Sequence, residues 1–149
     1  MKYLSLFTAA LLFVSCNAQE AKKVQEPKKI ELTQKESSTA QPIAKNIAVA
    51  DFKAALEAAG PNFQLVDVRT PGEWADGTLQ NAQKINWNDQ AFDKNIQALN
   101  KTQAVYVYCR SGARSGRAMA RMQSLGFTEV YNLNGGIMAW QNAGYEVVK

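Results

Sequence analysis

Short apolar runs alternate with helical patterns along most of this 149-residue chain. Residues 63–69, 104–108 and 129–133 have the β-branched and aromatic composition of buried strands. A helical pattern or a helix-start signal follows each run. This alternation predicts a single α/β domain with a parallel sheet and helices on both faces. Ligands bind such sheets at the carboxyl ends of the strands, so the loops after these runs are the first places to look for a site.

The remaining elements follow from apolar spacing and from capping residues. Thr70 is a good N-cap, and Pro71 suits the first position of a helix. A further short strand is predicted at residues 82–87. The predicted helices are 49–59, a short one from Pro71, 89–99, 113–125 and 136–142.

The amino-terminal residues have the pattern of a targeting segment. Lys2 precedes an apolar stretch, residues 4–14, that is too short to span a bilayer as a lasting helix. Residues 13–16 read Phe-Val-Ser-Cys and resemble the bacterial lipoprotein box, whose cysteine is lipidated. We therefore predict a signal peptide over residues 1–16, lipidation of Cys16, and an exported cell-envelope lipoprotein facing the periplasm. An ordinary secretory signal cleaved near Ala18 is the alternative.

Composition separates a linker from a domain. Residues 17–45 are polar, with two prolines, and predict a disordered linker. Residues 46–149 then form the domain, and their ten basic and nine acidic side chains leave it almost neutral. We therefore expect no nucleic-acid partner, and membrane contact through the lipid anchor only. The chain has no histidine, which excludes Cys–His nucleophile pairs and His-ligated zinc.

The strongest chemical signal is the thiol of Cys109. It follows the strand 104–108 and precedes the helix 113–125, so backbone N–H groups can converge on an anion beside it. Arg110 and Arg114 add positive charge, which favours the nucleophilic thiolate. A cysteine at a strand end is commonly a small buried apolar residue, but that role needs neither flanking arginine. The helix dipole also disfavours a cation near a helix start, so a bound anion would explain Arg114.

Four blocks in this order resemble the rhodanese family of sulfurtransferase domains, over about residues 48–148. Each block alone is weak, but the four at these spacings are specific. Gly135 and Gly136 in the last block are expected to allow a close approach to the cysteine loop. The blocks are Leu65-Val-Asp67-Val-Arg69 with Glu73-Trp74 and Gly77, then Cys109-Arg-Ser-Gly-Ala-Arg114, then residues 115–126, then Asn134-Gly135-Gly136-Ile-Met-Ala-Trp140.

The resemblance implies an enzyme that moves a sulfane sulfur from thiosulfate or a persulfide donor to a thiol or cyanide acceptor. Cys109 would be the nucleophile and would carry the sulfur as a persulfide. Asp67 and Arg69 would support the loop or form a structural ion pair, and the sequence slightly favours the ion pair. No cofactor or metal is expected, and the protein is expected to be a monomer. The residues implied to bind the anionic donor are Arg110, Ser111, Gly112, Ala113 and Arg114.

Two other functions use the same cysteine. A persulfide carrier or sensor that delivers sulfur to a protein partner also needs Cys109, so the sequence does not separate it from an enzyme. A phosphatase or arsenate reductase is disfavoured by loop length. Phosphotyrosine-type phosphatases place five residues between cysteine and arginine, whereas four separate Cys109 from Arg114. The resemblance implies that this shorter loop suits a sulfane sulfur rather than a phosphate.

Overall fold

The computed structural model describes residues 41–60 and 63–149, and within them the chain forms one parallel sheet with helices. The strands are β1 (Ile43–Ile47), β2 (Gln64–Asp67), β3 (Gln83–Lys84), β4 (Val105–Tyr108) and β5 (Glu129–Leu133). The helices are α1 (Val49–Ala58), α2 (Pro71–Ala75), α3 (Phe92–Ile96), α4 (Ala113–Ser124) and α5 (Gly136–Asn142). The strand order is β1-β5-β4-β2-β3, and each neighbouring pair is parallel.

The centre of the sheet is covered on both faces. Every residue of β2 and β4 is buried. In β4, Val105 and Val107 point into a cluster with α3 and α4, whereas Tyr106 and Tyr108 point into a second cluster with α1 and α5. Parallel strands buried in this way read as continuous apolar runs, which is why the sequence identified them. The predicted α/β class, with a parallel sheet and helices on both faces, is confirmed.

The strand order opens a crevice beside β4. From β2 the chain continues to β3 at one edge, and from β4 it continues to β5 on the other side. The loops after β2 and β4 therefore leave the sheet in opposite directions, although the two strands are neighbours. This is the topological switch point at which open α/β sheets bind ligands. Cys109 is the first residue after β4.

One domain boundary needs correction. Composition placed residues 43–45 in the linker, but Ile43–Ile47 forms β1 and pairs with β5 from Glu129 to Leu133. β1 is an edge strand with exposed Lys45 and Asn46, so backbone pairing holds it rather than an apolar pattern. The domain thus begins at Ile43. The predicted signal peptide 1–16, its Cys16 and the linker as far as residue 40 lie outside the described residues.

Two predicted elements are shorter in the structure. The strand predicted at 82–87 is only Gln83–Lys84, and the helix predicted at 89–99 is only Phe92–Ile96. Tight turns take over at both ends of α3, where the Phe92 N–H donates to the Asp89 carbonyl and the Leu99 N–H donates to the Ile96 carbonyl. The other predicted elements agree with the structure to within two residues at each end.

Candidate active site

The sulfur of Cys109 lies inside the loop that joins β4 to α4. Only 1% of this residue is exposed. The Gly112 N–H donates a hydrogen bond to Cys109 Sγ at 3.2 Å. Gly112 has a φ of +92°, the left-handed region that glycine adopts most readily, and it caps the start of α4. This turn lets the chain fold back over the sulfur before the helix begins.

Several donors act on the thiol together. Burial by itself raises the pKa of a thiol, because it disfavours the charged form. The hydroxyl of Ser115 and the N–H groups of Ser115, Ser111 and Gly112 outweigh burial here, so the pKa of Cys109 lies below its ordinary value. Ser115 is fully buried, and within residues 41–60 and 63–149 its hydroxyl meets no partner in hydrogen-bonding geometry, so the hydroxyl is free to turn towards the sulfur. The loop therefore favours a thiolate.

The start of α5 holds the cysteine loop from behind. The Ile137 N–H donates to the Cys109 carbonyl at 2.8 Å, and the Met138 N–H donates to the Arg110 carbonyl at 3.2 Å. A Cβ at Gly136 would lie 2.5 Å from the Arg110 carbonyl oxygen, which no side chain tolerates. The predicted close approach is therefore confirmed at Gly136.

Arg114 forms a bidentate ion pair with Glu73. Its Nη1 and Nη2 donate to the two carboxylate oxygens at 2.7 and 2.6 Å. The Thr70 N–H and hydroxyl donate to Glu73 Oε2 at 3.0 and 2.9 Å. The hydrogen bonds from Arg114 are the main reason that the pKa of Glu73 falls to about 2. A lowered carboxyl pKa stabilises the fold at neutral pH, and this contribution is lost as pH falls from about 4.5 towards 2.

This ion pair changes the role expected for Arg114. A bound anionic donor is the predicted reason for a cation near this helix start, and in the structure the Glu73 carboxylate is the anion that binds Arg114. Arg114 still acts on the thiolate, because the charge of Cys109 contributes to raising the pKa of the guanidinium after the larger effect of Glu73. Arg110 is exposed and forms no ion pair within residues 41–60 and 63–149.

Asp67 and Arg69 form a buried ion pair beside the loop. Arg69 Nε donates to Asp67 Oδ1 at 2.9 Å, and Nη2 donates to Oδ2 at 2.6 Å. The same Nη2 donates to the Gly77 carbonyl at 2.6 Å, which ties the end of β2 to the segment after α2. Removing one partner would leave an unpaired charge in the protein interior, at a cost of about 3–5 kcal/mol.

A cavity of about 310 Å³ adjoins the cysteine loop. Charged side chains of both signs line this cavity, and so does Met138, which is 45% exposed. A second cavity of about 580 Å³, lined by Phe63, Trp140 and Tyr145 among others, includes no residue of the loop. The cavity beside the loop is thus the candidate substrate site. It is lined by Arg69, Glu73, Asp76, Gly77, Arg110, Ile137, Met138 and Gln141.

The structure brings the predicted residues together and adds three that the sequence did not assign. Ala113 is the first residue of α4, and Ser111 acts through its N–H. Glu73 follows its N-cap in a capping-box pattern, which gives no sign of a partner 41 residues away. Ser115 comes directly after Arg114 but carries no signal of its own. The third residue is Asn132 of β5, which contacts the Gly112 carbonyl. A polar residue inside an apolar strand is the one sign of such a role that the sequence gives.

Comparisons with known proteins agree with this arrangement. A family model described as a rhodanese-like domain matches residues 48–143. A sulfurtransferase of Allochromatium vinosum is 39% identical over 84 residues, which cover 56% of this chain and 77% of that protein. Thiosulfate sulfurtransferase 18 of Arabidopsis thaliana is 27% identical over 123 residues, covering 74% of this chain and 88% of that protein. A rhodanese-like domain protein from Staphylococcus aureus, solved by crystallography, is 32% identical with a TM-score of 0.60 over 70% of this chain and 98% of that one.

The contact at Gly136 gives the first prediction. Gly136→Ala should lower the free energy of unfolding by about 1–3 kcal/mol, because the new methyl group meets backbone atoms of the cysteine loop. Urea denaturation measures the change. Gly72→Ala is the matched control, since nothing lies within 4 Å of a Cβ there. Equal stability of the two variants would show that the loop does not depend on this close approach.

Proposed function

Because this chain belongs to the rhodanese-like domain family, we propose that it is a sulfurtransferase that carries a sulfane sulfur on Cys109 as a persulfide. The observation that carries the proposal is the hydrogen bond from the Gly112 N–H to the buried Cys109 Sγ at 3.2 Å, in a loop whose Ser111 and Ser115 groups also lower the pKa of the thiol. Donors placed in this way stabilise a negative sulfur, as an oxyanion hole stabilises a negative oxygen. The sulfurtransferase names of two of its relatives support the same chemistry.

The first half-reaction loads the cysteine. The Cys109 thiolate attacks the outer sulfur of thiosulfate, and a new S–S bond forms between them. The S–S bond of thiosulfate breaks, and sulfite leaves with its electron pair. Cys109 then carries a terminal sulfur with a negative charge, and the loop donors that held the thiolate hold this sulfur instead. No outside oxidant or reductant is needed.

The second half-reaction unloads the cysteine. A thiolate or cyanide acceptor attacks the terminal sulfur, and the bond to Cys109 Sγ breaks. The electron pair of that bond returns to Cys109, which leaves as the thiolate. A low thiol pKa helps this step as well, because a weaker base is a better leaving group. The same donor set therefore serves both half-reactions.

Arg110 is the group that we propose for attracting the anionic donor. It is exposed, it lines the cavity beside the loop, and no carboxylate in the described ranges neutralises it. The other two arginines near the site are paired, Arg69 with Asp67 and Arg114 with Glu73. Substitution of Arg110 therefore tests donor recognition directly, since it breaks no ion pair among the residues that the structure describes.

The second prediction concerns the sulfur carrier. After incubation with thiosulfate, the mass of the wild-type protein should rise by one sulfur atom, and cyanide should remove it. Cys109→Ser should gain no sulfur, because a hydroxyl of similar size is scarcely ionised at neutral pH. Intact-protein mass spectrometry measures both.

Cys16→Ser is the control for that experiment, because it removes the other cysteine and should load normally. Loading of Cys109→Ser at the wild-type level would exclude Cys109 as the carrier. Loading of the wild type without appreciable turnover of thiosulfate and cyanide would favour the alternative function, a persulfide carrier that serves a protein partner.

The third prediction concerns Arg110. Arg110→Ala should lower kcat/KM for thiosulfate roughly tenfold to a hundredfold, because a hydrogen bond to a charged group contributes about 1.5–3 kcal/mol. Use of an uncharged sulfane-sulfur donor should change much less. Arg117→Ala, an exposed arginine of α4 that does not line the cavity, is the control. Equal losses with both donors would contradict a role in recognising the anion.

We propose that the protein is exported and held at a membrane by lipid on Cys16. Lys2, the apolar residues 4–14 and the Phe-Val-Ser-Cys sequence support this proposal. None of the helices in residues 41–60 and 63–149 is long and apolar enough to cross a bilayer. More than one acyl chain makes such an anchor stable, since each buried methylene contributes about 0.8 kcal/mol.

The fourth prediction tests the anchor. In a bacterial host the full-length protein should incorporate radiolabelled fatty acid and sediment with membranes, whereas Cys16→Ser should do neither. Cys109→Ser, which keeps Cys16, is the control and should be labelled. A soluble protein with an unmodified amino terminus beyond Cys16 would show a plain secreted protein instead, and would leave the chemistry at Cys109 unaffected.

A further inference from the structure

A buried side-chain amide contacts the cysteine loop from the neighbouring strand. Asn132 lies in β5 and is 3% exposed. Its Nδ2 donates to the Gly112 carbonyl at 3.1 Å and to Asn46 Oδ1 of β1 at 2.7 Å. The two hydrogens of the amide are thus used, and both go to acceptors. Its Oδ1 has no partner in the described part of the chain.

The carbonyl that Asn132 contacts belongs to the residue that donates to the sulfur. The Gly112 N–H points at Cys109 Sγ, 3.2 Å away. The Gly112 carbonyl accepts both from Asn132 and from the Gly116 N–H of α4, at 2.9 Å. A carbonyl oxygen has two lone pairs, so its acceptor capacity is filled. Both ends of Gly112 are therefore fixed, one by the sulfur and the other by β5 and α4.

Gly112 is the one glycine between β4 and α4, so no side chain restricts its backbone torsions. Its φ of +92° lies in a region that glycine occupies readily but leaves just as readily, because no Cβ restricts it. A change in this torsion would swing the N–H groups of Ser111 and Gly112 away from the sulfur. The hydrogen bond from Asn132 resists that change without touching the reacting atoms.

We infer that Asn132 is a positioning residue. By binding the Gly112 carbonyl it fixes the backbone of Gly112, and so keeps the N–H groups of the loop directed at the sulfur of Cys109. Asn132 touches neither the sulfur nor the cavity beside the loop. The inference rests on the proposed function only in taking Cys109 as the sulfur carrier. Its first test, the reactivity of the thiol, requires no sulfur transfer.

The experiment measures the pH dependence of Cys109 alkylation in the full chain, with Cys16→Ser as the background so that one thiol reacts. Asn132→Leu keeps the branched shape of the side chain and removes both donors. We expect the thiol pKa to rise by about half a unit to one unit, the equivalent of one ordinary hydrogen bond. At a pH below the thiol pKa, alkylation should then slow about threefold to tenfold. Raising the pH above the new pKa should restore the rate.

Asn46→Ala is the matched control. It removes the other hydrogen bond of the same nitrogen, at an exposed residue, and leaves the bond to Gly112 in place. The thiol pKa of Asn46→Ala should equal that of the background protein. If Asn132 only ties β1 to β5, the two variants lose similar stability and neither moves the thiol pKa, which would overturn the inference.

Asn132→Ala serves as a second variant in case leucine disturbs the packing against Gly116. A rise in its thiol pKa with retained folding would support the inference, and an unchanged thiol pKa would overturn it. If both Asn132 variants fail to fold, the residue is needed for the sheet itself and the inference is overturned. In sulfur transfer, the variants should lose more in kcat than in KM for thiosulfate, with recovery at high pH. A raised thiol pKa in a protein whose wild type transfers no sulfur would support the inference and contradict only the proposed function.

Discussion

The proposed sulfur chemistry requires a negative sulfur at Cys109, where almost no water reaches it. The residue is 1% exposed, and an unpaired charge in a protein interior costs several kcal/mol. Each hydrogen bond to a charged group stabilises it by about 1.5–3 kcal/mol. The Ser115 hydroxyl and three N–H groups outweigh burial, so the pKa of the thiol lies below its ordinary value. The geometry of the loop follows from the need to bring these donors to one atom.

That need explains the unusual contacts around the loop. Gly112 adopts a left-handed conformation so that its own N–H faces the sulfur. The start of α5 presses against the loop so closely that only glycine fits at position 136. Asn132 holds the Gly112 carbonyl from β5. These contacts come from different elements of the fold, and together they fix the four residues that join β4 to α4.

The three arginines near the site differ in whether a carboxylate pairs with them. The charge of Cys109 contributes to the raised pKa of Arg114, but the larger contribution comes from Glu73, which binds the guanidinium as an ion pair. Arg69 is likewise matched by Asp67. Arg110 alone in the loop faces the cavity with its charge unpaired in the described residues. Two arginines near the site are thus paired with carboxylates, and the unpaired charge of Arg110 is the basis of its proposed role in attracting an anion.

The sequence by itself determined the central strands, the order of the helices and the position of Cys109 at the end of β4. Continuous apolar runs and capping residues such as Thr70 and Pro71 act through near neighbours, so they can be read without a structure. Only the tertiary structure decided the rest. β1 is held by backbone pairing with β5, so Ile43–Ile47 can form a strand without the apolar pattern by which the sequence marks the central strands.

The same distinction applies within the site. The sequence placed Cys109 and its arginines on one loop, because they are adjacent in the chain. The partners that set their behaviour are far apart in sequence: Glu73 lies 41 residues from Arg114, and Asn132 lies 20 residues from Gly112. Such pairs meet only because parallel strands bring their carboxyl ends to one edge of the sheet. The placement of Cys109 and its arginines on one loop was therefore predictable, whereas the contacts of that loop with Glu73 and Asn132 required the fold.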